Sequence, residues 1–273
     1  MMKTAGSSLI KSLIQHYGTK VLNVSYRVRL NMDVYENEHL LRDLKKNNNK
    51  VSAIVGHSMR PFIDYDVPKH NLRWMTFLRN PFERYVSNYF YMYKLKNVFL
   101  EKHYDTMKAV NIVEWEKVEQ LSNYQCKFIS GEANAQKAID VLENKFDWVG
   151  ITEEFEIGID SFKTHFGLEN LYFDYKITNS STAELENKKR TKIKYEGFIK
   201  EMNQEDQILY DYVKKEMWPR FNNQNLSKSV KFKTNTLQRN FNTLNYHIND
   251  QLKFKETKLT WNNIKQFYLR WYR

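Results

Sequence analysis

Three groups of residues in this chain have types and spacings that could do chemistry. Arg79 precedes Ser87 across Asn80-Pro81-Phe82-Glu83-Arg84-Tyr85-Val86. A guanidinium at a strand end and a hydroxyl two turns into the following helix can grip one phosphate together. The second group is Lys3-Thr4-Ala5-Gly6-Ser7-Ser8, small residues behind a lysine and ahead of an apolar helical repeat. Such a loop suits an anion, because free backbone N–H groups at a helix N-terminus point at the ligand, and Lys3 adds a mobile positive charge. The GxxxxGK[ST] pattern of nucleotide hydrolases is absent. The third is His57, which follows the apolar run Val51 to Val55. An imidazole there has the ordinary pKa needed to take a proton from a hydroxyl near neutral pH. Each group also has a plainer use: Arg79 as a sheet-edge cap beside a solvent-facing Ser87, and His57 as a hydrogen-bonded strand end. Spacing alone leaves both uses open.

The elements that must position these groups are legible around them. Trp74 to Leu78 is a short apolar run, as expected of a parallel strand covered on both faces. Asn80 is a good N-cap, Pro81 suits the first helical position, and Glu83 completes a capping-box pattern. Phe82, Tyr85, Val86, Tyr89, Phe90 and Tyr93 then repeat at helical spacing. Arg79 thus falls at the carboxyl end of a strand, where open α/β sheets bind ligands. Leu9, Ile10, Leu13, Ile14 and Tyr17 predict an amphipathic helix that stops at Gly18. Val51 to Val55 predicts a buried strand that delivers His57 to the same kind of crevice.

Elsewhere, Lys20 to Val28 reads as a strand, and Asp33 with Glu36 caps a helix through Leu44 that Asn47-Asn48-Asn49 ends. Asn111 and Glu114 open another capped helix, and Ala133 to Leu142 reads as a further one. Phe146 to Phe155 reads as strand, turn and helix start, with Thr152 as N-cap and a stop at Gly167. Lys188-Lys189-Arg190-Thr191-Lys192 is expected on a basic loop, near phosphates or an anionic acceptor, or simply solvated. Asn203 to Met217 reads as a capped amphipathic helix, and Thr260 to Arg273 could form a short one.

On these residues the chain resembles a family. Leu-Arg-Asn-Pro-Phe-Glu-Arg-Tyr-Val-Ser, residues 78–87, looks like the 3′-phosphate-binding motif of sulfotransferases that use 3′-phosphoadenosine 5′-phosphosulfate (PAPS). The resemblance is closest to the carbohydrate branch that includes heparan sulfate uronyl 2-O-sulfotransferase, and to bacterial relatives, in patches to about residue 218. Lys3 to Ser8 resembles the family's 5′-phosphosulfate loop, with Met2 in place of the usual proline. Gly56-His57, followed by Phe62 and Asp64, resembles the segment that carries the catalytic histidine. Ser122 to Gln125 resembles the Asn-x-Gln segment near acceptor and adenosine, Val149 to Glu153 the Val-Gly-Leu/Val-Thr-Glu element, and Thr178 to Ser181 the opening of the cofactor-covering loop. The family's hydrophobic strand before the phosphate loop has no counterpart beyond Met1 and Met2. That leaves a trimmed start, a misassigned start or a protein without that strand.

The resemblance implies a P-loop-like α/β fold with a central, mostly parallel sheet over residues 1–221, followed by a basic extension over 222–273. It implies transfer of a sulfuryl group from PAPS to a hydroxyl of a carbohydrate acceptor. Arg79 and Ser87 would hold the 3′-phosphate, while Lys3, Thr4, Ala5, Gly6, Ser7 and Ser8 would hold the phosphosulfate. Lys3 would also neutralise the leaving phosphate and His57 would deprotonate the acceptor. No metal is called for, because an activated hydroxyl is the nucleophile. A sulfotransferase acting on protein tyrosine or a small phenol is the nearest enzymatic alternative.

Composition sets outer bounds. The 273 residues suffice for one α/β domain with an appendage. Net charge is +11, of which the residues from Asn222 onward carry +8 through ten Lys/Arg against Asp250 and Glu256. A nucleic-acid-binding protein would use that tail but would leave the Arg79/Ser87 and Lys3 groups unexplained. Cys126 is the only cysteine, so no intrachain disulfide or cysteine metal cluster can form. No apolar run is long enough to span a membrane, and no secretory leader is apparent. A cytoplasmic location is expected for a bacterial protein and a Golgi lumen for a trimmed eukaryotic one.

Overall fold

The computed structural model describes residues 6–24, 35–48, 50–67, 72–99, 112–113, 121–173, 182–222 and 238–246. The first helix, α1 (Gly6–Tyr17), ends where Gly18 takes φ +56°, a left-handed conformation that glycine adopts without strain. A 3₁₀ turn then leads into β1 (Val21–Asn23). Helix α2 (Asn37–Lys46) buries Leu40 and Leu44 and returns to β2 (Ala53–Val55), which pairs in parallel with β1. Strand β3 (Trp74–Leu78) feeds α3 (Pro81–Phe99), and the short α4 (Tyr124–Ser130) and α5 (Ala135–Lys145) lead to β4 (Phe146–Ile151). After α6 (Phe155–Phe166) come α7 (Thr182–Met202) and α8 (Gln204–Tyr212). A π-helical turn over Val213–Met217 continues α8 into α9 (Trp218–Asn222). A last helix, α10, spans 238–246.

The mixed α/β class with parallel strands is as expected, but one central sheet is not what the described residues form. They form two two-stranded parallel sheets, β1–β2 and β3–β4. In the second, Thr76 to Leu78 stand opposite Val149 to Ile151, with a register shift between Trp74 and Met75. The main core gathers on β3 and β4. Trp148 is fully buried, packs edge-on against Phe77 at 4.9 Å and Phe162 at 5.7 Å, and donates its Nε1–H to Ser161 Oγ at 3.1 Å. This aromatic cluster requires the glycines beside it. A Cβ on Gly150 would stand 2.2 Å from the Trp148 ring, and one on Gly158 would stand 2.8 Å from Phe77.

Several local expectations are redirected by tertiary partners. Asn80 does cap α3, its Oδ1 accepting the Glu83 N–H at 3.1 Å, but the Glu83 carboxylate does not close a capping box. It pairs instead with Lys192 at 2.6 Å, and Glu153 Oε1 accepts the Asn80 N–H at 2.9 Å. Thr152 does not cap a helix either; its hydroxyl donates to the Leu78 carbonyl at 2.9 Å, fastening the ends of β3 and β4 together. Lys188 to Lys192 lie within α7 rather than on a loop. Helical spacing gives Arg190 a partner one turn back in Glu186 at 3.2 Å and sets Lys192 against α3.

Strand β1 is shorter than the run Lys20 to Val28, whose residues 25–28 lie outside the described set, as do Asn111, Glu114, Thr178 to Ser181 and Thr260 to Arg273. Residues 238–246 of the basic segment pack on the earlier part of the chain. Asn242 Nδ2 donates to the carbonyls of Gln15 and His16 at 3.0 and 3.2 Å, satisfying the C-terminal end of α1. Tyr246 is buried in the main core, and the Arg239 guanidinium lies 3.7 Å from the Tyr172 ring centroid.

Gly150→Ala is expected to destabilise the fold by about 1–3 kcal/mol, since the added methyl must displace the Trp148 or Phe77 ring. Equilibrium denaturant unfolding checks this. An unchanged midpoint would mean that the ring cluster relaxes without cost.

Candidate functional site

The segment after β2 and the residue just past β3 both reach α4, and α4 is held by buried polar groups. Asp206, in the first turn of α8, is fully buried. Its two carboxylate oxygens accept the backbone N–H groups of Gln125 and Cys126 at 3.0 and 2.8 Å, two of the free donors in the first turn of α4. The caps are mutual, because Asn123 Oδ1 accepts the Asp206 N–H at 3.2 Å and Asn203 Oδ1 accepts the Asn123 N–H at 3.2 Å. Asn123 has φ +47°, a conformation asparagine tolerates better than most residues. Next door, Glu205 Oε2 accepts the Ala135 N–H at 2.7 Å, so the first turn of α8 caps both α4 and α5.

The positive partner comes from α3. Arg84 is fully buried, its Nε lies 4.0 Å from Asp206 Oδ2, and its Nη2 donates to the Leu121 carbonyl at 3.0 Å. Its guanidinium also lies 5.0 Å from the centre of the Tyr124 ring. Burial pushes the Asp206 carboxyl above its ordinary pKa, and Arg84 with the two backbone N–H groups pulls it back. The Cys126 thiol beside it is pushed far up, first by burial and then by Asp206, which leaves it a poor nucleophile.

From this base α4 fixes Arg79. Gln125 Oε1 accepts the Arg79 N–H at 3.0 Å and Gln125 Nε2 donates to the Arg79 carbonyl at 2.9 Å. The fully buried amide therefore pairs with the residue just past β3 as a neighbouring strand would. The segment after β2 reaches α4 as well. Arg60 lies 4.6 Å from the Phe128 ring centre, Phe62 approaches Gly131, and Arg60 donates to the His57 carbonyl.

The structure brings some of the sequence-derived site residues onto one framework and says nothing of others. Arg79 and Ser87 are both half-buried on the β3–α3 unit. Ser87 is seven residues past Asn80, about 10 Å along the helix axis. His57 is half-buried just past β2 and lines a cavity of about 510 Å³ between residues 51–57 and 72–77. Gly6, Ser7 and Ser8 form the start of α1, with Ser8 exposed and its carbonyl accepting from the Ser12 hydroxyl at 3.1 Å. Lys3, Thr4 and Ala5 lie outside the described residues. Among the described residues no group of His, Cys, Asp or Glu is arranged to hold a metal ion, and no helix is long and apolar enough to cross a membrane.

Sequence reasoning missed the Asp206–Arg84 pair and the Gln125 clamp. The available signal was the helical position of Arg84 and Asn88, which lie on the buried side of α3 with Tyr85. Comparison with protein-family models, with curated proteins and with solved structures finds no match to this chain.

Asp206→Ala is expected to cost about 3–5 kcal/mol of stability, the range for a buried ion pair that loses one partner. Asp206→Asn is expected to recover part of that, because one amide oxygen can accept only part of what two carboxylate oxygens do. Chemical denaturation of both variants checks this. A loss below about 1 kcal/mol for the alanine variant would show that α4 is held in some other way.

Proposed function

We propose that this protein transfers a sulfuryl group from PAPS to a hydroxyl, on a carbohydrate acceptor. The observation that carries the proposal is the strand-to-helix unit at Arg79. Gln125 clamps its backbone on both sides at 3.0 and 2.9 Å, and Ser87 stands half-buried on the helix that follows. A guanidinium carried on a fixed backbone and a hydroxyl on the following helix suit a phosphate dianion, the group that distinguishes PAPS from ordinary adenosine phosphosulfates. The packing of the His57 segment and of Arg79 on one helix adds support, since it puts the ends of both strands on a common rigid base.

In this account Arg79 and Ser87 hold the 3′-phosphate and fix the register of the nucleotide. His57 takes the proton of the acceptor hydroxyl as its oxygen forms a bond to sulfur. The bond between sulfur and the 5′-phosphate oxygen breaks in line, and the leaving phosphate keeps the electron pair. The start of α1, with Lys3, Thr4, Ala5, Gly6, Ser7 and Ser8, offers backbone donors and a lysine to that phosphate. The chemistry needs no metal, because positive groups of the chain neutralise the charge. The cations of α7, Lys188, Lys189, Arg190 and Lys192, give an anionic acceptor a basic helix beside α3.

Two variants test the assignment. Arg79→Ala should weaken binding of 3′-phosphoadenosine 5′-phosphate (PAP), the desulfonated product, by about 2 kcal/mol or roughly 30-fold, while Ser87→Ala should cost less. Calorimetry reads both, and an unchanged affinity in a folded Arg79 variant would contradict the phosphate clamp. His57→Ala should keep PAP affinity and lower turnover about 100-fold or more on a carbohydrate acceptor. Normal turnover would make His57 structural.

A further inference from the structure

Strand β2 ends in a segment whose backbone is held at most of its residues. Gly56 takes φ +146°, a conformation that residues other than glycine rarely adopt, and it turns the chain immediately before His57. Arg60 Nη1 donates to the His57 carbonyl. The Ser58 carbonyl accepts the Tyr35 N–H at 2.8 Å, and Ser58 itself is fully buried. The Arg60 N–H donates to the Tyr65 hydroxyl at 3.2 Å, and the Arg60 carbonyl accepts the Ile63 N–H at 3.1 Å. The Tyr65 hydroxyl in turn donates to the Tyr35 carbonyl. Burial pushes the Tyr65 phenol above its ordinary pKa, against the pull of Arg60, so it keeps its proton and remains a donor near neutral pH.

This set of bonds rests on two other elements. The Arg60 guanidinium lies 4.6 Å from the centre of the Phe128 ring on α4, and the Tyr65 ring lies 6.0 Å from the Trp74 ring on β3. A carbonyl at a strand end needs a donor, which water can supply. A guanidinium that also lies on α4 does more, because it fixes that carbonyl relative to the helix. With the turn at Gly56 on one side and held carbonyls at His57 and Ser58 on the other, the direction in which His57 leaves the backbone is fixed.

We propose that Arg60 and Tyr65 are positioning residues for the His57 imidazole: Arg60 ties the His57 carbonyl to α4, and Tyr65 holds Arg60. The proposal rests on the reading of His57 as the base that takes the acceptor's proton. Proton removal during in-line attack on sulfur tolerates little displacement of the base. Both residues act through the backbone of His57, and neither touches acceptor or nucleotide.

Two conservative variants of the full chain test this. Arg60→Lys keeps the charge but replaces the planar fork with a point-like ammonium, and Tyr65→Phe keeps the ring beside Trp74 but loses both hydrogen bonds. Each is expected to hold PAP affinity within about twofold and to lower turnover about tenfold or more at saturating PAPS. In a His57→Ala background neither should lower turnover further, since a residue that acts through His57 has nothing left to position. Full turnover in both variants, or the same loss with and without His57, would overturn the proposal. The His57 ring resonances of histidine-labelled protein, identified by their absence from His57→Ala, give a second readout that needs no substrate. They should shift or split in both variants, and unchanged resonances in both would overturn the proposal. If the parent chain neither binds PAP nor transfers sulfuryl groups, the sulfuryl-transfer reading fails by itself, and the ring resonances alone decide whether Arg60 and Tyr65 position His57.

Discussion

The Asp206 carboxylate is the interaction on which the rest of the arrangement depends. One buried group satisfies two first-turn donors of α4, balances the buried Arg84 of α3 and sits in the first turn of α8. Without its partners such a charge would cost several kcal/mol, so three segments far apart in sequence must come together for any of them to be buried. The consequence reaches the surface. Helix α4 is held in place, Gln125 projects from it, and the backbone of Arg79 has one position to occupy. Under the proposed function this fixed backbone would give the Arg79 side chain a constant point of origin at the end of β3.

The second constraint is the aromatic cluster beneath the β3–β4 pair. Trp148 fills the space that Gly150 and Gly158 leave, and Phe77 lies against both. The two strands are then fastened at their carboxyl ends by Thr152 on the Leu78 carbonyl and by Glu153 on the Asn80 N–H. The β3–α3 junction is thus fixed from below by packing, from one side by β4 and from the other by α4. The β1–β2 half carries its own small core of Leu22, Val24, Tyr35, Leu40, Leu44 and Tyr65. It meets the rest through α1 and through Arg60 on Phe128.

What could be read in the sequence was whatever local chemistry decides. Strand β3 and the start of α3 follow from an apolar run and an Asn-Pro cap, and the ends of α1 and α6 follow from Gly18 and Gly167. The positions of Arg79, Ser87 and His57 relative to their elements follow in turn. Features decided by distant partners could not be read. Glu83 and Thr152 fit local capping patterns yet are taken by Lys192 and by the Leu78 carbonyl. Gln125 and Asp206 are separated by 81 positions, and nothing in either segment announces the other. The run Lys188 to Lys192 looked like a loop because its charge hid a helical spacing that pairs Arg190 with Glu186. The division of the sheet into two pairs also had no local signal, since strand order is set by packing and not by the strands' own residues.

The central claim is that the framework at Arg79 and Ser87 selects a nucleotide by its 3′-phosphate. Calorimetric titration of the full chain with PAP and, separately, with adenosine 5′-phosphate, which lacks that group, tests it most directly. The account predicts one-to-one binding of PAP that is at least tenfold tighter than binding of adenosine 5′-phosphate, with the difference shrinking as salt is raised. Equal affinity for the two nucleotides, or no binding of either, would contradict it.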